Sequence, residues 1–72
     1  MMTNKLLTLT VAELAEELRV SPRHVWRMHS SGKLPSPVRL GRCIRWNRDE
    51  IQRWIAAGCP DRRVWQSLRE AG

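Results

Sequence analysis

Phenylalanine and tyrosine are absent, so four tryptophans carry all the aromatic mass a core can draw on. No run approaches the ~18 consecutive apolar residues that span a bilayer, and the N-terminus lacks the charged, then apolar, then small-residue order of a signal peptide. A cytoplasmic location is therefore expected. The two cysteines, Cys43 and Cys59, form neither a Cys-x-x-Cys pair nor a disulfide framework. His24 and His29 stand five apart, which on a helix aims them at different faces, so no metal site is expected. A Ser/His/Asp set, a carboxylate pair and a Gly-rich phosphate loop are likewise missing, and neither catalysis nor a cofactor is expected. With 72 residues the chain makes one small domain, too short to exclude water from a reaction centre.

What the sequence has in excess is positive charge. Thirteen Lys and Arg against seven Asp and Glu leave +6, a fixed field that attracts polyanions, with nucleic acid ahead of anionic membrane. The charge is also segregated. Arg19, Arg23, Arg27, Lys33, Arg39, Arg42, Arg45 and Arg48 follow one another with no acidic residue among them, while Glu13, Glu16 and Glu17 lie just upstream. A merely solvated surface normally intersperses acids for solubility, so the run reads as a docking face.

Local signals place this face on short elements. Thr10 with Glu13 three residues on is a capping box, and Leu9 with Leu14 a hydrophobic staple, so a helix starts there. Its stripe is Val11, Leu14, Ala15 and Leu18; Leu6 to Leu9 before it is expected to be extended. Ser21 is a good N-cap with Pro22 at the first helical position, which predicts a second helix from Pro22 to about Ser31, ended by Gly32 and barred by Pro35. Two short helices joined by about three residues form a helix-turn-helix candidate. At about 100° per residue, Val25, Met28 and His29 gather on the inner side of the second helix and Arg23, Arg27 and Ser30 on the outer, flanked by His24, Ser31 and Trp26. Arginine suits a bidentate contact with guanine, which makes Arg23 and Arg27 the leading base readers; phosphate contact or plain solvation is the alternative.

From Val38 to Trp46 the pattern alternates as two short strands around Gly41. A two-residue turn at Gly41-Arg42 would pair Val38 with Arg45; a three-residue turn from Gly41 to Cys43 would pair Leu40 with Ile44 and Val38 with Trp46 on one apolar face. The second register is the one expected. It sets Arg39 beside Arg45 on the other face with Arg42 at the tip, a like-charge pairing that a polyanion lying over the ribbon would relieve. A hairpin after a helix-turn-helix is a wing; an edge hairpin protected by charge is the plainer reading.

Asn47 with Glu50 predicts a third helix, stapled by Trp46 and Ile51, striped with Ile51, Trp54 and Ile55, and ended by Gly58. Arg48 at its start can meet a phosphate or a neighbouring carboxylate. Lys33, between helix and hairpin, joins the wing cations. Residues 1–58 are then the DNA-binding domain and 59–72 a tail, in which Asp61 can cap a short fourth helix carrying Val64, Trp65 and Leu68. That stripe either packs on the core or joins neighbouring molecules along DNA. The fold class is mainly α with a small β-hairpin.

Leu9-Thr10-Val11-Ala12-Glu13-Leu14-Ala15, Val20-Ser21-Pro22-Arg23-His24-Val25-Trp26-Arg27, Gly32-Lys33-Leu34-Pro35, Val38-Arg39-Leu40-Gly41-Arg42 and Ile44-Arg45-Trp46, in this order and spacing, resemble the AlpA-like phage regulators and excisionases. These are in turn similar to the DNA-binding part of the MerR regulators. The resemblance spans about Leu6 to Ala57; Trp26 stands where the family often has Tyr, and Asn47 where Pro is frequent. It implies a winged helix-turn-helix with Ser21, Arg23, His24 and Arg27 in the major groove and Arg39, Arg42 and Arg45 on an adjacent minor groove or backbone. It also implies one of two roles in a bacterial mobile element, acting at the nucleoid. One is an excisionase that bends attachment-site DNA for a site-specific integrase, with copies associating cooperatively; the other is a transcriptional regulator. Small size favours the first. A module docking an acidic protein is the reading from another class, and salt dependence separates it from DNA binding.

Overall fold

The computed structural model describes residues 7–71. Along the chain lie β1 (Thr8–Leu9), α1 (Val11–Leu18), α2 (Pro22–Ser30), β2 (Val38–Leu40), β3 (Cys43–Asn47), α3 (Arg48–Ala56) and α4 (Arg62–Ala71). The four helices flank a small antiparallel sheet of order β1-β3-β2, which is a winged helix-turn-helix. Of the extended stretch expected from Leu6, Leu6 itself lies outside the described residues.

Each helix begins where a side chain satisfies its free N–H groups. At α1 both halves of the capping box form: Thr10 Oγ1 accepts from the Glu13 N–H at 3.1 Å, and Glu13 Oε1 accepts from the Thr10 N–H at 2.8 Å. Ser21 Oγ accepts from the His24 N–H at 3.1 Å and Asn47 Oδ1 from the Glu50 N–H at 2.7 Å. Asp61 Oδ1 does the same for Val64 at α4, at 3.0 Å. Three helix ends close in Schellman fashion. At α2 the Lys33 N–H reaches the Met28 carbonyl (2.8 Å) and the Gly32 N–H that of His29 (3.2 Å), with Gly32 at φ +73°. At α1 the left-handed position is filled by Arg19, φ +59°, where glycine would be unstrained.

The core is Leu9, Leu14, Ala15, Val25, Leu34, Trp46, Ile51, Trp54 and Trp65, with Val11, Leu18, Val20, Met28 and Ile44 packed against it. Both staples are in it: Leu9 with Leu14, and Trp46 with Ile51. Ile55, expected in the inward stripe of α3, is instead exposed.

The hairpin register is the two-residue one. Val38 pairs with Arg45, Arg39 with Ile44 and Leu40 with Cys43, correcting the expected three-residue turn. Gly41 is at φ +65° while Arg42 is not at positive φ, the pattern of a type II′ turn, whose twist matches the flanking strands. The apolar partner that the other register sought for Trp46 comes from β1, which pairs Leu9 with Trp46. With Trp46 so covered, β2 is left as an edge, and Val38 and Leu40 stay exposed. Residues directly opposite share a face, so Arg39 and Arg45 lie on opposite faces of the ribbon and the expected like-charge pair does not form.

Candidate nucleic-acid interface

Trp46 ties α2 to the base of the wing. Its ring meets His29 edge-on at 5.8 Å between centroids and Trp26 at 6.4 Å, and Trp26 meets His29 at 6.0 Å. Such edge-to-face contacts fix how α2 sits against β3. Trp26 keeps 44% of its surface exposed, so one edge of the cluster faces solvent.

Ser21 at the N-cap of α2 and Arg23, His24 and Arg27 on it are all exposed, and Arg23 and Arg27, four apart, stand one above the other. Among the described residues no carboxylate pairs with either arginine. Val25 on the opposite side is fully buried. The sequence-predicted division of the helix into an arginine side and a core side therefore holds at these positions.

The wing cations are less uniform. Arg42 sits at the turn and Arg39 on the edge strand, both exposed, and Lys33 is exposed in the loop between α2 and β2. Arg45 is half-buried and donates from Nη1 to the Ile44 carbonyl at 3.0 Å. Arg48 is half-buried too, and its Nη1 lies 3.8 Å from Glu17 Oε1, the carboxylate contact rather than an open helix start. Arg45 and Arg48 are thus the two cations whose guanidinium groups already have protein neighbours.

His29 behaves as a structural group. Arg62 Nη2 donates to its Nδ1 at 3.2 Å and to its carbonyl at 3.1 Å. Burial, and then the Arg62 charge, hold its pKa below the ordinary 6.5, so the ring is neutral near pH 7.

The fourth helix is where sequence reasoning fell short. Trp65 is only 6% exposed and belongs to the core, which is the packing role of the two open to it and removes Trp65 from an exposed contact stripe; Val64 and Leu68 are exposed without it. Glu50 was assigned to capping, yet its Oε2 accepts from Trp65 Nε1 at 2.8 Å and pairs with Arg69 Nη1 at 2.8 Å. Trp54 Nε1 donates to the Pro60 carbonyl at 2.7 Å. Arg62 was not singled out at all, because its acceptors lie 28 and 33 residues away and no local pattern marks them.

Among the described residues no helix is long and apolar enough to cross a membrane, and no group of His, Cys, Asp or Glu is placed to hold a metal ion. A helix-turn-helix whose second helix carries arginines that no described carboxylate pairs, followed by a basic hairpin, defines a DNA-binding class of protein. The chain belongs to the helix-turn-helix domain family, whose sequence model matches residues 8–59, from β1 to the end of α3. That membership supports sequence-specific binding of double-stranded DNA. No curated protein and no solved structure matches the chain.

Proposed function

We propose that this protein is an AlpA-like, excisionase-type factor of a mobile element, which binds and bends attachment-site DNA. The observation that carries the reading is the Arg23–Arg27 pair on the exposed side of α2, without a carboxylate partner among the described residues, within a segment that matches the helix-turn-helix family from β1 through the wing. In this reading Arg23 and Arg27 read base edges in the major groove, Ser21 and His24 flank them, and Lys33, Arg39 and Arg42 neutralise phosphates. Arg45 and Arg48 join them at the rim.

Bending has its own support. Leu40, 54% exposed beside the turn and next to cations, is the kind of apolar side chain that wedges into a minor groove and opens a base step. A site-specific integrase on neighbouring sequence and copies of this chain side by side, meeting through Val64 and Leu68, are the partners such a role calls for.

Footprinting across an attachment site and the adjacent promoter tests the reading. Protection of the recombination arm, with faster gel migration of end-bent than centre-bent fragments, is expected; protection confined to the promoter makes the chain a transcriptional regulator instead. The salt dependence separates both from an acidic-protein docking module. With Arg23, Arg27, Lys33, Arg39 and Arg42 engaged, log K should fall against log salt with a slope of roughly −4 to −5, about −0.9 per phosphate.

A further inference from the structure

The loop from Ser31 to Pro37 joins the two elements assigned to DNA, and it is pinned from two sides. From the wing, Trp46 Nε1 donates to the Pro35 carbonyl at 3.0 Å. From α4, Arg62 supplies the rest: Nε donates to the Leu34 carbonyl at 2.9 Å, Nη2 to the His29 carbonyl at 3.1 Å, and its own backbone N–H to the Gly32 carbonyl at 2.9 Å. Leu34 and Pro35 are fully buried. One arginine thus satisfies carbonyls at the last turn of α2, at the glycine that ends it and in the loop beyond. A cation at a helix C-terminus also meets the negative end of the helix dipole.

Arg62 lies outside residues 8–59, the part shared with the helix-turn-helix family. Trp65 on the same helix is anchored in the core and bonded to Glu50, so the arginine approaches the loop from a fixed base. We propose that Arg62 is a positioning residue for DNA recognition: it fixes the end of the recognition helix and the loop that spaces it from the wing. The inference rests on the DNA-binding reading above.

Specific binding needs helix and wing in register with two stretches of duplex at once, whereas non-specific binding needs only cations near phosphates. Losing the Arg62 clamp should therefore act on the ratio of the two. The test compares the full chain with Arg62→Ala and Arg62→Lys on two probes: a duplex selected by the wild-type protein from a randomised pool, and a random duplex of equal length. Arg62→Ala should bind the selected duplex about tenfold more weakly, the scale of one or two lost hydrogen bonds, and the random duplex nearly as before. Arg62→Lys keeps the charge and most of the packing but not the planar fork that serves separate acceptors, so it should lose the ratio as well. Thr10→Ala, which removes the α1 cap, should lower the melting temperature without changing the ratio.

A wild-type ratio in folded Arg62→Lys overturns the proposal, and this variant decides the matter if Arg62→Ala does not fold. Equal weakening on both probes by Arg62→Ala, with a salt slope shallower by about one, also overturns it, because Arg62 would then be a phosphate contact. Failure of the wild-type chain to bind any duplex at low salt removes the DNA-binding reading itself, and the proposal with it.

Discussion

The indole Nε1 of Trp46 donates to the carbonyl oxygen of Pro35 at 3.0 Å, with both side chains fully buried. Bulk and hydrogen bond act at one point, since the same ring fills the core and closes the loop ahead of the wing. Trp46→Phe should leave the Pro35 carbonyl unpaired and a void beside Leu9, lowering unfolding stability by about 2–4 kcal/mol in urea titration. A change below about 0.5 kcal/mol, the range of ordinary surface substitutions, would show that the ring is not structural.

Arg27 and Arg42 should fail differently. Arg27→Ala is expected to weaken binding to a selected duplex by about 1–3 kcal/mol and to relax preference at one base pair, while Arg42→Ala weakens all duplexes alike and makes the salt slope shallower by about one. Competition binding against single-base variants of the selected site reads both. Identical profiles for the two variants would cancel the division between base reader and phosphate contact.

His29 links stability to pH. Its pKa is lowered in the folded protein, so from about pH 6.5 downward the unfolded chain takes up a proton that the folded one refuses. Stability due to this residue is therefore complete above that value, and it is lost as pH falls towards the folded pKa. Melting temperatures of the wild type should drop on acidification more steeply than those of His29→Gln. Parallel curves would mean that the neutral ring is not required.

Arg19 offers a stabilising change. It holds a left-handed backbone, φ +59°, at the end of α1, and its side chain is exposed. Arg19→Gly should raise stability by roughly 0.5–1 kcal/mol, since glycine meets no Cβ clash there. A lowered melting temperature would show that the arginine side chain contributes more than its backbone strain removes.

Much of the local structure was legible because caps and staples act over three to five residues. Thr10, Ser21, Asn47 and Asp61 each start a helix as their neighbours predict, and Leu14, Val25, Ile51 and Trp54 face the core as the period of 3.6 demands. The register of the wing was not legible. Choosing it by burying Val38 assumed that the hairpin must cover Trp46 by itself, whereas Leu9 of β1, 37 positions earlier in the register pair, performs that task. Ile55 was misplaced, and the choice between the two roles of Trp65 left open, for the same reason: periodicity tells which side of a helix is apolar, but not how far the neighbouring element reaches over it.

Sequence alone therefore determined the order of the elements, the excess of arginine on the second helix and hairpin, and the absence of acids between them, because these depend on nearest neighbours and on composition. Only the folded chain decided which cations have a carboxylate partner, since Arg48 meets Glu17 of α1 while Arg23 and Arg27 meet none among the described residues. It alone decided, too, that Arg62 returns to the loop it left some thirty residues before, a contact set by the packing of Trp65 and by no pattern along the chain.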